Sequence, residues 1–272
     1  MRHNTATAAL LAFTLLSADS HALDTHDDLG RWVALPQAAQ RIVTLSPHAT
    51  ELALAAGAGR KLAGVAAGSR LPADLDTLPQ IGAHGGLDRE ALLALQPDLV
   101  IAWQSGNRAT DLNWIAAMGT PLYLSEPASM PDIARTLRDI GNLSGTAATA
   151  EAAARQFEQA FQTRCRYLPP QPAYVLIWER PAMTVGGRHW INAVLQAAGY
   201  RNVLAHLDRG VFRIAPEAAV AYSRLTRISL NRDFEHSEAD HLADLLSRPG
   251  PRLSEAVRLL CDRRLRQSAP GD

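Results

Sequence analysis

Cysteine, aromatic residues, net charge and long apolar runs are all scarce in this 272-residue chain. Its 27 Lys and Arg are matched by 27 Asp and Glu. No basic surplus is available to follow a phosphate backbone, which argues against a nucleic-acid partner. The longest apolar stretch, residues 6–16, is far short of the roughly 20 residues that cross a bilayer as a helix. Chemistry-bearing motifs are missing too. The sequence has no G-x-S-x-G, no P-loop, no G-x-G-x-x-G after a strand, no H-E-x-x-H and no Cys/His zinc pattern, so nucleophilic, nucleotide and zinc chemistry lose their usual signatures. What remains is ordinary globular composition, 47% hydrophobic and 20% charged.

The short apolar stretch follows Arg2 and precedes Ser20-His21-Ala22. A positive start, an apolar middle and small residues two apart predict a cleavable signal peptide over 1–22, and hence a soluble protein of the periplasm. Export permits disulfides. The only cysteines are Cys165 and Cys261. Their pairing stays open, because Cys165 follows Phe157 and Phe161 at helical spacing and suits a buried thiol as well.

Beyond residue 40, strand and helix patterns alternate. Residues 41–46 (RIVTLS) form a β-branched run, and Ser46-Pro47 then reads as a helix start for 47–56, stopped by Gly57. Residues 98–103 (DLVIAW) read as a buried strand, 122–125 as another, and Ser129 with Asp132 as a capping box for the helix after it. This order predicts an α/β fold with a mainly parallel sheet. The alternation breaks at 149–168, where Ala150, Ala154, Phe157, Phe161, Cys165 and Leu168 recur at helical spacing, and resumes at 173–178 (AYVLIW). The expected organisation is an N-terminal Rossmann-like lobe over 23–143, one long connecting helix over 144–168 and a C-terminal lobe over 169–272, with a ligand cleft between lobes.

The strings 41–57 (RIVTLSPHATELALAAG) and 97–103 (PDLVIAW), with the later RPGPR at 248–252, resemble the substrate-binding proteins of cobalamin ABC importers, within a wider group that captures haem and iron siderophores. The resemblance implies two lobes spanned by a helix, a transported corrinoid in place of a cofactor or catalytic step, and delivery by a monomer to a permease at the inner membrane.

A corrin is a broad apolar disc with amide arms, which suits aromatic walls and a polar rim. Trp103 ends a strand, where open α/β sheets place ligands, and it matches the family's pocket Trp. Trp178 ends the corresponding strand of the second lobe. Phe212, Asp244 and Arg248 match pocket positions, and Pro47 and His48 lie at a sheet edge. The resemblance also departs from its pattern. Gly68 stands where cobalamin binders often have an aromatic, and His84 stands where they have Trp. His84 keeps haem or a ferric siderophore open as ligands, since haem iron takes an axial His. A secreted α/β enzyme using Glu90 or His84 as an acid–base group is the alternative from another class. Glu90 and Glu217 match the acidic residues, one per lobe, that pair with the permease, although both would also suit helix starts.

Between Glu217 and Asp244 the chain is shorter than the family pattern and rich in charge, which predicts a trimmed second lobe with no strand beyond 225–230. The family's matching cysteine is Cys261, whose usual partner position falls near Ala197 and Ala198. Its bridge is therefore not expected in the usual place.

Overall fold

The computed structural model describes residues 23–82, 86–230 and 238–268. The expected signal segment and His84 lie outside these residues.

The first lobe opens with an antiparallel hairpin, β1 (Leu23–His26) and β2 (Trp32–Leu35), which the sequence reading does not foresee. Asp27 explains the turn. Its carboxylate accepts from the backbone N–H groups of Leu29 and Arg31 at 3.0 and 2.9 Å and from Leu124 N–H at 3.2 Å, joining the hairpin to the lobe. The lobe's sheet contains β3 (Ile42–Thr44), β4 (Leu62–Gly64), β5 (Leu99–Trp103) and β6 (Leu122–Ser125), all parallel, in the order β4-β3-β5-β6.

Helices return between these strands with local start and stop signals. The Ser46 hydroxyl accepts from Ala49 N–H at the start of α1 (Pro47–Ala55), and Pro47 lacks an N–H where no helical partner exists. Asp88 caps α2 (Arg89–Ala94). After α3 (Ala109–Ala117), the Ser129–Asp132 capping box is complete on α4 (Met130–Ser144). Gly145, at φ +69°, then turns the chain into α5 (Ala147–Ala160).

The connecting helix is shorter than its apolar spacing predicts. α5 has 14 residues, about 21 Å, and gives way to a 3-10 turn over Arg164–Tyr167. Phe161 and Cys165 stay buried across that change, so the apolar period continues after the α-helix has stopped.

The second lobe holds two small sheets. β7 (Gln171–Leu176), β10 (Tyr200–Asn202) and β12 (Thr226–Ser229) are parallel, in the order β10-β7-β12. β8 (Trp178–Glu179), β9 (Ala182–Val185) and β11 (Val211–Arg213) are antiparallel, in the order β11-β9-β8. α6 (Ile191–Ala197), α7 (Pro216–Ala221), α8 (Glu238–Leu246) and α9 (Leu253–Ser268) complete the lobe.

One buried apolar cluster joins the lobes. It runs from Ile42, Ile101 and Tyr123 through Ala150, Ala154 and Phe157 of α5 to Val175, Val194 and Leu260. The lobes are therefore packed against a common strut. A disulfide joins Cys165 to Cys261, with Cα atoms 5.6 Å apart. Gly199 makes room for the Cys165 backbone, because a Cβ there would stand 2.7 Å from the Cys165 carbonyl oxygen. Cys165 thus reaches the neighbourhood of Ala197 and Ala198 from a different part of the chain.

Candidate ligand-binding site

The carboxyl ends of β5 and β6 face the second lobe across a cavity of about 490 Å³. Trp103, Ser105, Glu126 and Pro127 form the first-lobe wall, and Ile177, His189, Trp190, Val211 and Leu246 lie among the residues of the other.

Trp103 is placed by three neighbours, Asn107, Gly106 and His48. Its backbone N–H donates to the Asn107 side-chain oxygen at 2.7 Å, and the Asn107 amide donates to Leu45 O at 2.8 Å. Gly106 passes so close to the indole that a Cβ there would lie 2.0 Å from Trp103 Cε3. The His48 imidazole meets the indole at 86°, with centroids 5.0 Å apart.

His48 itself does not line the cavity. It is 1% exposed, with Nδ1 3.1 Å from Ser46 Oγ and Nε2 3.2 Å from Ser125 Oγ. Burial, followed by the nearby Arg248 charge, pulls its pKa down to about 3. This neutral imidazole supports Trp103 and is not itself an exposed ligand contact.

Pro47 lines a neighbouring hollow of about 360 Å³ with Ala66, Ile81 and Asn107. The loop after Trp103 lines both hollows, through Gly106 and Asn107 in this one and Ser105 in the other. Gly68 is exposed at φ +76°, with open space where a Cβ would stand.

Four second-lobe expectations require correction. Trp178 is 53% exposed on the β8–β9 hairpin, with Nε1 donating to Arg180 O at 2.9 Å. It lies outside the cavity lining, and Trp190, at the start of α6, supplies the aromatic wall. Phe212 packs into the small cluster around Tyr174, Leu176 and Leu204, while Val211 lines the cleft. Successive strand residues point to opposite faces, so the expected residue is displaced by one.

Asp244 and Arg248 belong to an inter-lobe charge cluster. Arg248 donates to Glu51 Oε1 at 2.9 Å, and Asp244 pairs with Arg70 at 2.8 Å and Arg252 at 2.9 Å. Glu51 and Asp244 are buried. These pairs tie α1 and the Arg70 loop to α8 and the segment following it, and they lie outside the cavity lining. Glu90 and Glu217 are both exposed, near the starts of α2 and α7.

The sequence reading misses Trp190 and His189. Both follow the Gly186-Gly187 turn and precede an amphipathic helix, a placement that could have marked them as a sheet-edge loop. Their rings lie 4.7 Å apart at 36°.

A family model described as periplasmic binding protein matches residues 42–258. The chain belongs to this family. Curated relatives include a vitamin B12-binding protein of Vibrio parahaemolyticus, 35% identical over 170 residues, covering 61% of this chain and 62% of the relative. A vitamin B12-binding protein of Yersinia pestis is 37% identical over 172 residues, covering 62% and 61%. The chain thus spans about three fifths of the length of the curated relatives it matches. Among solved structures, the periplasmic vitamin B12 binding protein BtuF of Vibrio cholerae superposes with a TM-score of 0.71 at 27% identity, covering 85% of this chain and 98% of that one. A periplasmic heme binding protein from Pseudomonas aeruginosa gives a TM-score of 0.71 at 24% identity, covering 86% and 95%, which establishes likeness of fold alone. The family captures substrates. Among the described residues, no helix is long and apolar enough to cross a membrane.

Proposed function

We propose that this protein captures a corrinoid in the cleft between its lobes and delivers it to an ABC importer without a catalytic step. The Trp103 indole at the cavity wall carries this reading. Trp190 contributes to the second-lobe wall, and flat aromatic surfaces with a polar rim suit an apolar macrocycle bearing amides. The relatives named as vitamin B12-binding proteins support the same ligand class. Residues 1–22 direct the chain to the periplasm, where the monomer binds through lobes over 23–143 and 169–272. Pro47 and Gly68 belong to the first-lobe rim. No resident cofactor takes part.

Calorimetric titration with cyanocobalamin tests this function. Saturable heat at micromolar ligand is expected, with a loss of about 10–100-fold in affinity for Trp103→Ala as the aromatic surface disappears. Absence of heat at tens of micromolar ligand defeats it.

Glu90 and Glu217 dock the two lobes onto basic residues of the permease. Exposed charge pairs of this kind fix orientation more than they add affinity. Reversing both to Lys is expected to leave cyanocobalamin affinity within about twofold and to abolish stimulation of the importer's ATPase. Unchanged stimulation would remove these residues from the interface.

A further inference from the structure

His189 lines the cleft beside Trp190, and one hydrogen bond determines which of its nitrogens carries the proton. Nδ1 lies 3.2 Å from Ile191 N and accepts its N–H. A backbone amide can only donate, so Nδ1 carries a lone pair. Burial lowers the His189 pKa to about 4, which leaves the ring neutral near pH 7. The single ring proton must then sit on Nε2. Among the described residues, no protein group pairs with that nitrogen.

We propose that His189 is a specificity-determining residue whose fixed Nε2–H donates to a carbonyl oxygen of the bound ligand, and that it does not serve as an axial ligand to iron. This inference rests on the corrinoid reading of the same cleft. The amide arms of a corrinoid supply such oxygens. An iron macrocycle would instead require the Nε2 lone pair. Providing it would move the proton to Nδ1, where it would oppose the Ile191 N–H at 3.2 Å. The backbone thus biases the cleft toward acceptor-bearing ligands and against iron ligation at this residue.

Three measurements on the full chain test this role. Long-range ¹⁵N–¹H correlation at pH 7 should give the Nε2–H pattern for His189, and an Nδ1–H pattern overturns the proposal. Calorimetry with cyanocobalamin should show about a 10-fold loss for His189→Phe, which keeps a ring but no donor. His189→Gln should remain within about threefold because its amide restores an N–H. If the wild type binds and His189→Phe binds equally well, the donor role fails while the corrinoid reading stands. If the wild type does not bind, the corrinoid reading fails, and the NMR and haem measurements still decide the state of His189. On titration with haem, a histidine–iron absorption band that disappears in His189→Phe overturns the proposal, and its absence supports it. Thermal melts of both variants show that each is folded before its affinity is compared.

Discussion

The imidazole of His48 stands at right angles to the indole of Trp103, 5.0 Å away between centroids, while both of its nitrogens face serine hydroxyls. A ring held on three sides in this way works best uncharged. In the unfolded chain His48 titrates near 6.5, whereas in the fold its pKa falls to about 3, first through burial and then through Arg248. Below pH 6.5 the unfolded state takes up a proton that the native state refuses. Stability is therefore full above about pH 6.5 and is lost as the pH falls toward 3. Thermal melts from pH 8 to 4 are expected to show this loss, and His48→Gln should flatten that part of the profile. His189, lowered to about 4 by burial, contributes with the same sign. A His48→Gln profile identical to the wild-type profile would show that His48 is not held neutral.

Gly106 offers a way to disturb the cleft without touching its chemistry. Any Cβ at this position meets the Trp103 ring at 2.0 Å, well inside van der Waals contact, so the indole must move. Gly106→Ala is expected to weaken cyanocobalamin binding by about 10-fold, since overpacking of this kind costs about 1–3 kcal/mol. The far-UV circular dichroism should remain unchanged. Wild-type affinity in this variant would show that the indole position does not govern binding.

The first lobe was legible because its signals are local. Ser46-Pro47 and the Ser129–Asp132 pair each act within four residues of themselves, and each starts a helix where expected. That Trp103 would lie at a cavity wall followed from its place at the carboxyl end of a strand. The place of His48 was not legible, because the SPHATE string does not reveal which side of α1 is covered by Ser125, 77 residues away. Phe212 failed by one position, since a strand's register decides which face holds each side chain. The end of α5 was hidden by a 3-10 turn that keeps Cys165 buried in phase with the preceding helix. Asp244 and Arg248 stood at pocket positions by resemblance alone, and their partners across the lobes, Arg70 and Glu51, lie far away in sequence. Arg248 and Glu51 are separated by 197 positions.

That charge cluster carries its own prediction. Glu51 is 6% exposed and faces Arg248 at 2.9 Å and Arg252 at 3.5 Å. Removing the carboxylate leaves two guanidinium groups without that counter-charge in a partly desolvated place. Glu51→Ala is expected to destabilise the protein by about 3–5 kcal/mol in urea unfolding, the usual cost of breaking a buried pair from one side. Glu51→Gln with Arg248→Met should recover part of that loss, because the second substitution removes one of the stranded charges. Cyanocobalamin affinity, measured where both variants are folded, should stay within about threefold of wild type. A loss of 100-fold or more would return Arg248 to the ligand-binding set.

The disulfide gives the last test, because its position differs from the one that the resemblance implies. Cys165 lies in the 3-10 turn after α5, and Cys261 lies on α9, so the bond joins the end of the strut to the final helix across 96 positions. A cross-link of that span restricts the unfolded chain by up to about 4–5 kcal/mol in the chain-entropy model. Replacing both cysteines by Ala is expected to lower the urea midpoint, by an amount equivalent to about 2–4 kcal/mol once packing changes are included. Reductant should shift the wild-type midpoint in the same direction and leave that of the double variant unmoved. Because neither sulfur lies among the residues lining the cleft, cyanocobalamin affinity should change by less than about threefold wherever the variant is folded. A wild-type midpoint indifferent to reductant, together with two free thiols in a titration under oxidising conditions, would rule out the bond.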